Sequence, residues 1–486
     1  MRVERDQQSR QVESGIPKHE CGVIGIYAPL EDVSRLAFWG LYRLQHRGQE
    51  SAGIATLSER GFDVKKRMGL LREGFKEEDV ESLKGFAAIG HTRYSNTGGS
   101  NIANAQPVIY ENIAISENGN LVNPGELRKD LLDKGIWPSS TDGVNCSSDG
   151  EIIAQTIVDS SGKDIIEKIQ NASRKFIGAY SLTILADNSL IAVKDPLGVW
   201  PLCLGKLNGN GYVVASESSA LDLIKAEYIR EIEPGEILQI NEEGVKSFKL
   251  PGTGKVAECA FDWTYFRRPD SLVSPDRYAY QFRQELGRQL AIDFPVEADM
   301  VIAEKDSGTF GDHGFSKQSG IPFNEGSIKD PYSKRIFIEP DQRIRDKLVD
   351  LKHSFLKPEI AGKRIIVVTD SVVRGTNSCG IVMALRELGA QEVHYRVTFP
   401  QITDPCFFGI DMESKESLIG SSKTAEEVAS EIGADSLAYQ RPESFEKVLK
   451  RSLRTFCTAC FTGQYPVPVP AIRDKFALEQ DLTRVL

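Results

Sequence analysis

From Tyr278 onward the sequence alternates two periods in an order that admits few architectures. A helical pattern (YAYQFRQELGRQLAI) leads to an apolar run (DMVIAE) and, after a loop and a further helical stretch, to a β-branched run (KRIIVVTD). A second clear helical pattern (CGIVMALRELG) and a third run (EVHYRVTF) follow. Strands linked through helices pair in parallel with the helices on the sheet faces, so this part predicts a parallel α/β sheet. Ligands of such sheets sit beyond the carboxyl ends of the strands. The chain before it is patterned differently. Between residues 21 and about 250, short alternating runs (CGVIGIYA, GFAAIGHTRY, NIAISENGNLVN, AYSLTILADNSLIAVKD, GYVVASES, EILQI) are punctuated by Asn-Gly, Asp-Asn and Gly-rich turn signals. Helical patterns interrupt them at SRLAFWGLYRLQHR and GEIIAQTIV, which predicts sheets flanked by helices. Segment 250–258 (LPGTGKVAE) combines Pro, Gly and charge without periodicity and is the expected boundary.

A chain of 486 residues with 40 % apolar and 26 % charged residues is long enough for two or three ordinary cores. Its net charge of −10, from 59 Lys and Arg against 69 Asp and Glu, disfavours a protein built to hold a nucleic-acid backbone. No run approaches the ~18 apolar residues of a membrane span. Residues 1–20 carry four basic and four acidic residues and no apolar h-region, and read as a loosely held leader on a cytoplasmic protein. Eight cysteines are too sparse for a secreted disulfide scaffold, but Cys457 and Cys460 form a CxxC, which raises metal or redox chemistry.

The loop after KRIIVV reads Thr369-Asp370-Ser371-Val372-Val373-Arg374-Gly375-Thr376-Asn377. Small residues there can expose backbone N–H groups to a phosphate at a helix N-terminus, with Ser371 and Thr376 adding hydroxyl donors and Asp370 available for ribose hydroxyls or Mg²⁺. A plain tight connection between strand and helix fits the same residues. The wider pattern weighs against that. This loop joins Cys21-Gly22-Val23-Ile24-Gly25, Arg47-Gly48-Gln49-Glu50-Ser51, Gly90-His91-Thr92-Arg93-Tyr94 and Asn118-Gly119-Asn120. Further on come Tyr265-Phe266, Arg268-Pro269-Asp270-Ser271 and Phe456-Cys457-Thr458-Ala459-Cys460-Phe461-Thr462-Gly463. In this order the blocks resemble the glutamine phosphoribosylpyrophosphate amidotransferases, the amidophosphoribosyltransferase family.

The resemblance implies an N-terminal-nucleophile glutaminase of αββα layers over 21–250, then a phosphoribosyltransferase-type parallel α/β domain over 259–465, a leader at 1–20 and a tail at 466–486. It implies formation of 5-phosphoribosylamine, glutamate and pyrophosphate from phosphoribosyl pyrophosphate, glutamine and water, the first committed step of purine synthesis. Cys21 becomes the nucleophile once residues 1–20 are removed, its freed α-amino group serving as base near pH ~8. Asn118 and Gly119 match the oxyanion donors, and Arg93, Tyr94 and Asp149 the glutamine-binding positions. Asn-Gly is also a good hairpin turn. Asp306, Ser307, Lys329, Asp370, Ser371, Arg374, Gly375 and Thr376 match the phosphoribosyl pyrophosphate site, with Ser307, Thr369 and Asp370 at Mg²⁺. Cys259, Cys406, Cys457 and Cys460 match the ligands of the family's [4Fe–4S] branch; a zinc Cys₄ site would satisfy the same count. Cys146, Cys203 and Cys379 match no ligand position and read as packed thiols. The family is commonly a homotetramer.

Several positions depart from the family. Glu117 stands where His usually precedes Asn-Gly, which puts a carboxylate near the oxyanion unless strand alternation turns it outward. Thr369 replaces one of two adjacent acids, Lys305 replaces Pro, and Asp330-Pro331-Tyr332-Ser333-Lys334 replaces Asn-Arg-Tyr-Val-Gly between Lys329 and Arg335. Asp350 replaces a basic residue between the matching Arg345 and Lys352, and Trp200 replaces Arg. Two expectations follow: a working, divergent amidophosphoribosyltransferase, or a degenerate relative that keeps glutaminase and cluster but has lost or altered phosphoribosyl transfer.

Overall fold

The computed structural model describes residues 21–95, 98–136, 148–252, 254–305, 308–329, 353–412 and 414–471. Strands β1 (Gly22–Tyr27), β2 (Ser51–Ser58), β3 (Gly61–Met68) and β4 (Ala87–Arg93) come first, then β5 (Val108–Tyr110), β6 (Ile113–Leu121), β7 (Gly178–Ala186) and β8 (Ser189–Lys194). They are followed by β9 (Cys203–Lys206), β10 (Tyr212–Ala215), β11 (Glu227–Glu231), β12 (Glu236–Asn241) and β13 (Gly244–Lys249). They form two antiparallel sheets, in the orders β11-β9-β10-β1-β4-β2-β3 and β13-β12-β8-β7-β6-β5.

Side chains on a strand alternate between faces, and β1 shows what that does here. Ile24 and Ile26 pack in one cluster with Ala37 and Leu41 of helix α1 (Val33–Arg43), while Val23 and Tyr27 join Leu185, Leu190 and Leu238 of the other sheet. Complete burial of an Ile contributes about 1.5–3 kcal/mol, so each face of β1 holds a different pair of layers together. Asp32 starts α1 by accepting the Arg35 amide hydrogen at 3.1 Å. On the outer face of the second sheet, Ile152, Ile153 and Ile157 of helix α2 (Asp149–Asp159) pack on Ile113, Ile115 and Leu182. The layers are therefore helix, sheet, sheet, helix.

Two turn signals had opposite outcomes. Asp187 and Asn188, at φ 47° and 53°, make the tight turn between β7 and β8. Asn118-Gly119 does not turn: it runs through β6 and pairs with Ser181 and Tyr180 of β7.

The later part contains helix α3 (Ala279–Asp293), strands β14 (Met300–Ala303) and β15 (Arg364–Thr369), helix α4 (Thr376–Glu387), and strands β16 (Glu392–Val397) and β17 (Ser436–Tyr439). The strands form one sheet in the order β14-β15-β16-β17, parallel throughout. Ile365 and Val367 point to one core, Ile366 and Val368 to another, which is why KRIIVV reads as a continuous apolar run.

Residues on either side of segment 250–258 share a core. Leu197, Val199 and Trp200 pack with Phe261, Phe266, Phe399 and Phe408. The Trp200 indole donates to the Phe408 carbonyl at 2.9 Å, and the Asn120 side chain donates to the Phe407 carbonyl at 2.9 Å. Where the family has Arg, Trp200 is a fully buried ring with its one N–H satisfied.

Candidate active site

Five separate segments meet in one cleft, lined by Cys21, Arg93, Tyr94, Gln106, Glu117, Gly119, Ser148 and Asp149. Sheet order explains the meeting. β1 begins immediately after Cys21 and pairs with β4, whose last residue is Arg93, while β6 carries Glu117 and Gly119 in the facing sheet. The Cys21 thiol donates to the Tyr94 carbonyl at 3.3 Å, and the Tyr94 amide lies 3.4 Å from the same sulfur, so one residue orients Sγ and offers a donor to its thiolate. Arg47, whose motif does not mark it as a site residue, is buried; its guanidinium donates through Nε to the Cys21 carbonyl at 3.1 Å and pairs with Glu217 and Asp262. Burial opposes ionisation of Glu217, but His46 and Arg47 beside it hold its carboxyl well below the ordinary value.

Arg93 donates to the Gly99 carbonyl at 3.1 Å, with Glu50 3.9 Å away. Asp149, first residue of α2, accepts the Leu121 amide hydrogen at 2.8 Å, which ties the helix to the end of β6 and sets a carboxylate where the helix dipole favours it. Asn118 is fully buried, and both ends of its side-chain amide lack a hydrogen-bond partner among the described residues. A buried amide in that condition awaits a ligand or costs stability.

Glu117 turns inward, not out. Burial first, and the Asp149 carboxylate second, push its carboxyl up to about 8, which favours the neutral form at neutral pH. His91 donates through Nε2 to the Glu117 carbonyl at 3.0 Å; burial, then Arg93, push this imidazole down to about 3, which leaves it neutral.

The second candidate site lies at the carboxyl end of β15. Thr369 and Asp370 are buried, the Ser371 hydroxyl donates to Asp370 Oδ2 at 2.6 Å, and the loop ends at Gly375, whose φ of 78° demands glycine before α4 begins at Thr376. Ser371, Arg374, Gly375 and Thr376 thus sit together between strand end and helix N-terminus. Lys305 pairs with Glu325. Asp306 and Ser307 fall outside the described residues, as do Pro331, Arg335, Arg345, Asp350 and Lys352; Lys329 ends a short strand, Ser327–Lys329, paired with His353–Phe355.

A profile of glutamine amidotransferase domains matches residues 91–223. Over 474 residues, 95 % of each chain, the sequence is 43 % identical to an amidophosphoribosyltransferase of Synechococcus elongatus. The chain belongs to the amidophosphoribosyltransferase family. The Methanocaldococcus jannaschii amidophosphoribosyltransferase is 44 % identical over 92 % of this chain and 98 % of its own. Among solved structures, the glutamine phosphoribosylpyrophosphate amidotransferase of B. subtilis, complexed with ADP and GMP, superposes with a TM-score of 0.86 at 39 % identity, covering 93 % of this chain and 98 % of that one. The two-sheet sandwich is accordingly an N-terminal-nucleophile glutamine amidotransferase fold, and the parallel sheet is of phosphoribosyltransferase type. None of these comparisons favours a degenerate relative over a working amidophosphoribosyltransferase.

Cys259, Cys406, Cys457 and Cys460 fall in one apolar cluster or at its edge. Cys259 and Cys457 are partners in a two-residue parallel pairing, and none of the four is in a disulfide. Burial, and then the other cysteines, raise the thiols of Cys259 and Cys460 far above their ordinary value; burial also raises Cys457. A centre that takes these groups as thiolates would reverse that cost. Among the described residues no group of three or more His, Cys, Asp or Glu side chains is placed to hold a metal ion. Of the other cysteines, Cys203 donates to the Ala215 carbonyl at 3.3 Å, Cys379 touches Met383, and Cys146 lies outside the described residues.

Proposed function

We propose that this chain makes 5-phosphoribosylamine, glutamate and pyrophosphate from phosphoribosyl pyrophosphate, glutamine and water, working through the residues assembled above. The observation that carries the reading is the Cys21 thiol held by both backbone groups of Tyr94 in a cleft shared with Arg93, Gly119 and Asp149. Removal of residues 1–20 frees the Cys21 α-amino group, which takes the thiol proton as Sγ attacks the glutamine amide. Arg93 and Tyr94 hold the substrate α-carboxylate end and Asp149 the α-ammonium. The Gly119 amide and the Asn118 side chain receive the oxyanion, which answers the unpartnered state of that side chain. Ammonia leaves with the proton returned by the amine, and water then cleaves the thioester to glutamate.

Asp370, Ser371, Arg374, Gly375 and Thr376, with Asp306, Ser307 and Lys329, are the proposed phosphoribosyl pyrophosphate site. Amides at the start of α4 face the 5-phosphate, and Arg374 and Lys329 supply positive charge. Asp370, with Thr369 and Ser307, would hold Mg²⁺, which offsets pyrophosphate charge as ammonia displaces it from C1; one carboxylate plus substrate oxygens is an ordinary Mg²⁺ set. On resemblance we assign the glutaminase part to 21–250 and the transferase part to 259–465, with a tail at 466–486, in a cytoplasmic homotetramer. Anaerobically prepared protein with mature Cys21 should release pyrophosphate from phosphoribosyl pyrophosphate and Mg²⁺ when glutamine is added. Intact glutamine hydrolysis without that release would overturn the transferase half.

The four cysteines are proposed to hold a [4Fe–4S] cluster, whose own bulk separates its thiolates, whereas zinc draws four sulfurs to ~2.3 Å from one point. What supports the reading is that all four cysteines lie in one apolar cluster or at its edge, none of them in a disulfide. The purified protein should be brown, contain iron and acid-labile sulfide in equal amounts, and lose colour and activity together in air. A colourless, zinc-containing protein of full activity would refute the assignment.

A further inference from the structure

The cleft contains one acid that the proposed mechanism leaves unused. Glu117 is 5 % exposed and lies two residues before Gly119 on β6. Gln106 clamps it twice: Gln106 Oε1 accepts the Glu117 amide hydrogen at 2.7 Å, and Gln106 Nε2 donates to Glu117 Oε2 at 3.4 Å. That donor makes Oε2 the carbonyl-like oxygen. Oε1 is buried and has no hydrogen-bond partner among the described residues. If it carries the proton, it is a donor with nothing to donate to, and a buried donor left so is costly. A ligand that only accepts, such as a carboxylate, completes it.

The charged groups facing Glu117 indicate which part of the substrate that is. Asp149 reaches it from α2 and Arg93 from β4, the two residues assigned to the amino-acid end of glutamine. We propose that Glu117 binds glutamine as a neutral acid, donating its Oε1 proton to the substrate α-carboxylate beside Arg93, so that ionising Glu117 weakens glutamine binding. The inference rests on reading this cleft as the glutamine site.

The pH dependence follows from the surroundings. Burial and Asp149 favour the neutral form, and Arg93 and the Gln106 bond oppose them. His91, bonded to the Glu117 carbonyl, stays neutral throughout the working range. Bound glutamine strips further water from the carboxyl and so favours the proton more strongly. Above the Glu117 titration the free site must regain a proton to bind, and an ionised Glu117 competes with the substrate for the Arg93 fork.

The test is the KM for glutamine in glutaminase turnover of the mature protein against pH, beside Glu117→Gln and Glu117→His. Glutamine's ammonium and the Cys21 amine titrate in all three, so the difference between profiles isolates Glu117. The native KM should rise about tenfold more than that of Glu117→Gln between about pH 7 and pH 9. Glu117→His, which restores the family's residue, should behave like Glu117→Gln and guards against a folding defect in one variant. Superimposable native and variant profiles would overturn the proposal while leaving the glutaminase reading intact. Absence of glutamine hydrolysis by the native protein at every pH would overturn both.

Discussion

Serine in place of Cys21 is expected to abolish glutamine-dependent formation of phosphoribosylamine, by ~10⁴-fold or more, and to leave synthesis from added ammonia in place. The geometry makes the expectation specific. The thiol is 5 % exposed and held between the carbonyl and amide of Tyr94, so a hydroxyl fits the same space and only the chemistry changes. A serine hydroxyl is far less acidic and less nucleophilic than a thiol, so the same α-amine generates far less of the attacking anion. The proposed transferase residues sit on other elements, at the end of β15 and the start of α4, and make no use of Cys21. Pyrophosphate release with glutamine, then with ammonium ion at high pH, separates the two half-reactions. If both disappear, Cys21 supports the fold and is not the nucleophile; if neither does, the amide is opened elsewhere.

The loop from Thr369 to Thr376 was legible in the sequence because its signals are local. The strand before it is apolar on both faces, the helix after it is amphipathic, and Gly375 must adopt a positive φ. The glutaminase cleft was not legible in that way. Cys21, Arg93, Glu117 and Asp149 come together because β1 pairs with β4 and β6 faces them from the second sheet, relations that no window of sequence encodes. Only resemblance to a family linked those segments beforehand. The direction of Glu117 was undecidable from alternation because every residue of β6 is buried, on both faces. Gln106, which clamps Glu117, and Glu217, which receives Arg47, carry no pattern that would single them out. Asn118-Gly119 has the composition of a turn, yet pairing with β7 overrides that local preference and makes the pair part of the site.

Alanine at Gly119 should be the most damaging small substitution in the cleft outside Cys21. A Cβ there would lie 2.0 Å from the Ala179 carbonyl oxygen and 2.7 Å from its carbon, with φ at 153° adding strain. The obstacle is backbone, not a side chain that could swing aside. Asn120, the next residue along, pairs with Ala179 in the β6–β7 ladder, so the clash is relieved only by pushing β6 away from β7. That shift carries the Gly119 amide and Asn118 with it, away from their proposed place at the substrate carbonyl. Glutamine turnover should therefore fall about 10²–10³-fold, the usual cost of losing an oxyanion donor. The same displacement should lower stability by about 1–3 kcal/mol. Ammonia-dependent synthesis, which needs neither group, should survive in protein that remains folded. Measuring kcat for glutamine hydrolysis, ammonia-dependent synthesis and the unfolding midpoint on one preparation decides the matter. Near-native glutamine turnover would show that the strand can absorb the methyl group and that the Gly119 amide is not the oxyanion donor. Loss of ammonia-dependent synthesis in equal measure would show that the substitution acts on the fold alone.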